Sequence, residues 1–308
     1  DGLGGVDTLA NIEGVEGTKY DDQIYGTDGD NSLDGRFGNN VIDGRLGFDF
    51  VEYNGEGRAQ LTVNLDAGTA SFIRASNGTG YTDSLLNIEG VVGSSTADSI
   101  TGDDSDNRLY GNGGDDKIYG GGGNDLLDGG AGDDWLYGEG GDDKIYSGLG
   151  NDAVYGGAGI DSLYDTGGND HFDGGADGDV LSFDSVIEGH TGVVVNTTLG
   201  TATDSTGGAD TFINIENFIG TDLADHFTGK DTDASIPIEY NAAGIVSDNY
   251  ELFIGLAGDD FIDGKGGYDE VQYTTSAIGL VIDLASSTQQ DGLGGVDTLA
   301  NIEGVEGT

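Results

Sequence analysis

Residues 93–182 divide into ten consecutive nonapeptides without insertion or deletion, and that register restricts the possible folds more than any other feature of the chain. One copy is Gly129-Gly130-Ala131-Gly132-Asp133-Asp134-Trp135-Leu136-Tyr137, which fits G-G-x-G-x-D-x-U-x with U a large apolar residue. Position six reads Asp98, Asn107, Asp116, Asp125, Asp134, Asp143, Asp152, Asp161, Asp170 and Asp179. Position eight reads Ile100, Leu109, Ile118, Leu127, Leu136, Ile145, Val154, Leu163, Phe172 and Leu181. Two columns held in phase over this length mark a repeat architecture.

Glycines at positions one, two and four allow the positive φ that a tight six-residue turn needs. The last three residues form a short strand in which U alone points inward. Two nonapeptides then close one coil of eighteen residues, and coils stack at the parallel-strand spacing of about 4.8 Å. Aspartates eighteen apart lie one above another, with Asp98, Asp116, Asp134, Asp152 and Asp170 on one edge. Two carboxylates about 5 Å apart repel by ~3 kcal/mol at an effective dielectric near 20. A hard divalent cation between coils reverses that term, and calcium suits carboxylate and carbonyl oxygens better than magnesium, which keeps its waters. Zinc would require His or Cys ligands that this pattern does not supply.

The pattern recurs elsewhere in the chain. Residues 17–52 hold four nonapeptides with Asp22, Asn31, Asn40 and Asp49 at position six, and Ile24, Leu33, Ile42 and Val51 at position eight. A third section begins at Gly220 with Asp225/Phe227, is interrupted over 234–248, and resumes with Asp260/Ile262 and Asp269/Val271. The interruption reads as a loop or hairpin leaving the solenoid. A second signature, Asp-x-[Leu/Phe]-x-Asn-Ile-Glu, occurs at Asp7–Glu13, Asp83–Glu89, Asp210–Glu216 and Asp297–Glu303. Alternating apolar stretches precede it, namely Leu61-Val63-Leu65, Val193-Val195 and Leu280-Ile282-Leu284, each with the period of a half-buried strand. Residues 1–18 and 291–308 are identical, which implies a tandem unit of 290 residues. The expected organisation is one continuous solenoid. Residues 1–52 combine a strand section and four nonapeptides, and 53–182 a strand section and the ten-nonapeptide roll. Residues 183–290 hold a strand section and the interrupted nonapeptides, and 291–308 begin the next unit. The fold class is all-β, a right-handed parallel β-roll or β-helix solenoid, because glycine is spaced too densely for helices.

Composition narrows the partners. Ten Lys and Arg against 58 Asp and Glu give a net charge of −48, which argues against nucleic acid or an anionic membrane surface. There is no Cys, hence no disulfide framework, and no apolar run long enough to span a membrane. The sequence lacks Met, and reads as a piece of a longer protein.

These residues resemble the RTX (repeats-in-toxin) family of calcium-binding parallel β-rolls, most closely over 93–182 and in shorter form at 17–52 and 255–272. The resemblance implies that position-six side chains, with turn carbonyls of positions one, three and five, bind Ca²⁺ between coils. The expected ligands are Asp22, Asp49, Asp98, Asp116, Asp125, Asp134, Asp143, Asp152, Asp161, Asp170, Asp179, Asp225, Asp260 and Asp269. It also implies type I secretion, with folding in extracellular calcium. Asn31, Asn40 and Asn107 at position six, and Asn112, Glu139 and Thr166 at position two, depart from the motif and should weaken their sites.

Nothing marks an enzyme. His171 and His226 sit at an outward strand position, and neither H-E-x-x-H nor G-x-S-x-G occurs. Tyr119, Tyr137 and Tyr155, spaced by eighteen, should stack as a ladder beside outward Trp135, or offer a strip to a cell-surface glycan or a neighbouring solenoid. The expected function is a non-catalytic, calcium-folded extracellular rod of a tandem-repeat surface protein, filament, adhesin or surface layer. Its partners would be copies of itself, end to end or side by side. The alternative is the secretion and folding domain of a larger type I-secreted enzyme or toxin. The full reading frame separates them, because many 290-residue copies favour the first and one upstream catalytic domain the second.

Overall fold

The computed structural model describes residues 12–307 apart from 56, 184–190, 231–239, 242–243, 246–249, 274–275 and 277–279. The first copy of the terminal duplication therefore lies largely outside the described residues, as does His190. Of the 234–248 interruption only the antiparallel pair Tyr240–Asn241 and Gly244–Ile245 is described.

The chain coils between two sheets, and strand pairing is parallel at an offset of eighteen through the long block. Ser99 pairs with Lys117, Lys117 with Trp135, Trp135 with Ala153, and Ala153 with His171. On the other sheet Arg108, Leu126, Lys144, Ser162 and Val180 form the equivalent ladder. Only position eight faces inward in each three-residue strand, so each coil contributes one apolar side chain from each sheet. Ile100, Leu109, Ile118, Leu127, Leu136, Ile145, Val154, Leu163, Phe172 and Leu181 are all fully buried. The rows are aliphatic through most of the long block. Tyr53, Phe72, Phe183, Phe212 and Phe218 are buried where blocks join.

At those joins one sheet gains strands. Arg58–Asn64, Thr69–Arg74 and Gly80–Leu86 form an antiparallel meander that enters the second sheet between Val41–Asp43 and Ser99–Thr101. Val194–Asn196, Thr201–Thr203 and Ala209–Ile213 repeat it between His171–Ala176 and His226–Thr228. The apolar alternation of the first two strand sections is explained by this arrangement, since Leu61, Val63, Val193 and Val195 are buried. The third differs from expectation. Residues 280–283 are not a strand, Val281 is 90% exposed and Leu284 50% exposed, and the meander is represented by Thr288–Gln290 against Val296–Ala300. The physical reason is pairing. Val63 and Val195 sit opposite Ile100 and Phe227, each twelve residues beyond the Ile of the following Asn-Ile-Glu. Among the described residues no strand lies opposite 280–283.

Between one meander and the next the number of half-coils is even, so every meander enters the same sheet. Deleting residues 120–137 removes one full coil and should keep this arrangement, shortening the distance between labels at Thr82→Cys and Ala209→Cys by about 5 Å. Deleting only 120–128 should move the second meander to the opposite sheet and alter that distance by roughly the 10 Å that separates packed sheets, or more. The absence of native Cys makes the labelling clean. Indistinguishable distances in the two deletions would contradict the alternation of half-coils.

Candidate metal centres

Each position-six residue precedes a strand, and beyond the first coil of a block its Oδ1 accepts the backbone N–H of its counterpart one coil earlier, except in Asp269, whose two carboxylate oxygens both lack a hydrogen bond. Asp98 N donates to Asp116 Oδ1, Asp116 N to Asp134 Oδ1, and Asp134 N to Asp152 Oδ1, all at 2.7–2.8 Å. The other edge runs from Asn107 N to Asp125 Oδ1, then through Asp143, Asp161 and Asp179. These carboxylates are thus ladder elements, buried to 5% exposure or less.

Their second oxygens divide into two sets. Oδ2 of Asp49, Asp116, Asp125, Asp134, Asp143, Asp152, Asp161, Asp170, Asp179, Asp260 and Asp269 is buried and accepts no hydrogen bond. An unsatisfied buried carboxylate oxygen costs several kcal/mol unless an ion or proton meets it, on the order of the penalty for desolvating a charge. A methyl carbon placed on Gly138 would abut Asp143 Oδ2 and stand 2.5 Å from Gly156 O of the next coil. On Gly120 it would abut Asp125 Oδ2 and stand 2.7 Å from Gly138 O. Glycine at position one therefore leaves a hollow onto which a carboxylate and a carbonyl oxygen converge. An all-oxygen cradle of this kind fits a hard cation.

Asp22, Asp98 and Asp225 differ from the other expected ligands. Thr18 N, Ser94 N and Thr221 N donate to their Oδ2 at 2.6, 2.5 and 2.7 Å, while the same residues' hydroxyls donate to Oδ1. These three open the first coil of their blocks, and hydroxyl residues there replace the glycine of position two. In later coils other than that of Thr166, position two turns left-handed, at φ 72° for Asn112 and 74° for Glu139, and the turn amide no longer caps the carboxylate. Asn112 and Thr166 use their side chains to bind the carbonyls of Gly93 and Gly148 below. Asn31 and Asn107 belong to first coils too, accepting N–H groups from Thr27 and Asp103. Asn40 keeps the ladder, since Asp22 N donates to its Oδ1 at 3.0 Å.

The Asp…Asn-Ile-Glu signature has no evident role in the sequence, and the structure supplies one. Its first residue continues one carboxylate edge through the meander: Asn40 N, Asp170 N and Asp260 N donate to Asp83, Asp210 and Asp297. Its Glu continues the other edge, where Asp49 N, Asp179 N and Asp269 N donate to Glu89, Glu216 and Glu303. Asn87, Asn214 and Asn301 hold left-handed corners at φ 49–53° and donate Nδ2 to Asp43, Asp173 and Asp263. A further column member was hidden by the interruption. Glu251 stands two residues before buried Phe253, as Asp does before position eight elsewhere, and accepts Lys230 N at 2.8 Å.

Burial, and then the neighbouring carboxylates, raise these groups far above the ordinary Asp range. Asp116, Asp152, Asp179, Asp260 and Asp269 reach about 8. Asp125 and Asp143 reach about 7, and Asp134, Asp161 and Asp170 about 6. Ladder hydrogen bonds act in the opposite direction without overcoming burial. The outward faces carry the expected tyrosine ladder, with Tyr119, Tyr137 and Tyr155 stacked at 4.8 Å and Lys117 over the Trp135 ring.

Comparison with known proteins agrees with this geometry. The family model described as the RTX calcium-binding nonapeptide repeat (4 copies) matches residues 16–51, 92–127, 119–154, 149–181 and 252–271. No curated protein matches the chain. Among solved structures, the extracellular lipase LipA from Serratia marcescens is similar at 17% identity and a TM-score of 0.22, over 68% of this chain and 39% of the lipase. Repeated turns, paired carboxylate edges and the family match identify the nonapeptides of this chain as RTX repeats, which bind calcium at multiple sites.

Proposed function

We propose that the chain is a non-catalytic, calcium-rigidified extracellular rod segment from a tandem-repeat surface protein, filament or adhesin, exported in an unfolded state. The ligand set in this reading is the eleven aspartates whose Oδ2 is orphaned, with Asp22, Asp98 and Asp225 acting as hydrogen-bonded starts of their blocks. Calcium, when bound, supplies positive charge between coils. The chain's own contribution is a ladder that fixes ten of these eleven carboxylates in advance, all but Asp269.

One observation carries the rod reading. Gly14–Glu16 pairs with Ser32–Asp34, and the identical Gly304–Glu306 pairs with Tyr268–Gln272 at the far end. The two strands are the same rung of the repeat, so a following copy would continue both sheets without a linker. His171 and His226 support a structural role, since the first contacts Thr211 and the second stacks on Phe261.

The test is a chain of two consecutive 290-residue units carrying one spin label per unit, at Ser105→Cys in each. In millimolar calcium the label-to-label distance distribution should be narrow, and after chelation broad. A broad distribution under both conditions would mean that units are tethered beads, and would leave the secretion-and-folding role as the better reading.

A further inference from the structure

Three seams join a block to its meander, and aligning them through their shared ladder bonds exposes one that departs from the others. The signature carboxylates are Asp83, Asp210 and Asp297, and the residue that follows the last strand before each meander is Tyr53, Phe183 and Tyr273. Position one of the nonapeptide beside them is Gly35, Asp165 and Gly255. At the first seam the carboxylate is fully served. Tyr53 donates its hydroxyl to Asp83 Oδ2 at 3.1 Å, Asn40 Nδ2 donates to Oδ1 at 2.8 Å, and the positive charge of Arg58 acts on it. The middle seam has lost the hydroxyl, because Phe183 has nothing to donate. It has also gained a carboxylate at Asp165, in the hollow that glycine leaves open elsewhere.

Carboxylate oxygens of Asp165, Asp204 and Asp210 lie within 4.8 Å of one another, and all three residues are buried. Asp210 is 1% exposed and its Oδ2 accepts no hydrogen bond. Asp204 is held by four donors, Thr206 N, Thr206 Oγ1, Gly208 N and Gly168 N, so its position is fixed by the turn. Gly167 N donates to Asp165 Oδ1 at 2.7 Å, and the carboxylates of Asp210, Asp170 and Asp204 act on the same group. Asp165, Gly167, Phe183, Asp204 and Ser205 line a small recess beside the cluster.

We propose that Asp165, Asp204 and Asp210 form an additional site for a hard divalent cation, calcium for this chain, at the second seam and distinct from the nonapeptide turns. Both departures raise the demand for positive charge: one removes a neutral donor and the other adds a buried acid. Neither would be tolerated together with ionised Asp210 unless a cation or a shared proton replaced the lost tyrosine. Three carboxylates with no imidazole or thiol choose calcium over zinc. The inference rests on the calcium reading of the chain but not on the turn ligands.

The test restores the first-seam chemistry. In the full chain, D165G together with F183Y returns glycine to position one and a hydroxyl to Asp210. Bound calcium per chain is counted by native mass spectrometry after equilibrium dialysis. Wild type should hold one ion more than the double variant, with the same circular dichroism spectrum in calcium. Equal counts would overturn the site and favour the shared proton. Calcium binding by neither protein would instead overturn the family-wide reading. If the double variant does not fold, D204N, which keeps the turn acceptor, should lose the same single ion, and an unchanged count there would also sink the proposal.

Discussion

Metal-free chain should lose its β-structure as pH rises from about 4 toward 8, and millimolar calcium should restore it at neutral pH. In the unfolded chain each Asp titrates near 3.9, roughly the model-peptide value. In the folded, metal-free chain Asp116, Asp152 and Asp179 keep their protons to about 8, because burial and neighbouring carboxylates disfavour the charge. A group raised in the folded state stabilises fully below its unfolded value and loses that contribution as pH climbs through its folded value. Each tenfold difference in proton affinity is about 1.4 kcal/mol, against a typical domain stability of about 5–15 kcal/mol, so a few such groups decide the outcome. Calcium takes the ionised carboxylate and reverses the sign, so its folding midpoint should fall as pH rises over the same range. Far-ultraviolet circular dichroism against pH, with and without calcium, measures both slopes. D134N/D152N supplies the control, since Asn40 shows that an amide preserves the ladder bond. That variant should stabilise the metal-free form at pH 7 and raise the calcium midpoint several-fold. Metal-free protein that stays folded at pH 8, or a midpoint indifferent to pH, would refute the account.

Much of this was legible in residue order, for a physical reason. A fixed period of nine makes every coil a copy of its neighbour, so Leu136 inside and Asp134 at the edge follow from position alone. What escaped were the places where copies differ. Thr18, Ser94 and Thr221 occupy position two, and their capping role depends on a turn conformation invisible in composition. The signal was nonetheless present, because a β-branched residue such as Thr18 or Thr221 resists the positive φ that glycine adopts there. The Asp of each Asn-Ile-Glu signature lies tens of residues from the carboxylate row it continues, so only the stacked sheets reveal Asp170 against Asp210 or Asn40 against Asp83. Leu280-Ile282-Leu284 has strand periodicity, yet periodicity cannot supply a pairing partner. Asp165 was one acid among many until its seam could be compared with two others.

Gly141→Ala should be among the most damaging single substitutions in the long block. Gly141 holds φ 125°, and a methyl there would land on the carbonyl oxygen of Gly123 one coil below and 2.5 Å from its carbon. The added carbon meets backbone on a neighbouring rung, so no rotamer change relieves it. Left-handed strain costs an L-residue ~1–2 kcal/mol, and forced overpacking adds ~1–3 kcal/mol, giving a loss of several kcal/mol. That is comparable with the ~2–5 kcal/mol expected for Leu136→Ala, which empties a fully buried position. The two should part in their calcium response. Leu136→Ala leaves the turns intact and can be offset by more calcium, whereas Gly141→Ala separates the rungs whose oxygens form the cradle, and should lose bound ions as well as stability. Gly140→Ala is the contrast, because a methyl there meets nothing nearer than 3.9 Å and Ala131 and Ala158 already occupy the same position three. Position four follows the same logic along the chain: Thr96 and Ser105 occur there only in the first coil of the block, and Gly114, Gly123 and Gly132 take over once a coil lies beneath. Thermal melts and ion counts on the three variants at one calcium concentration settle the matter, and a Gly141→Ala protein as stable as Gly140→Ala would mean that the coils do not stack in this register.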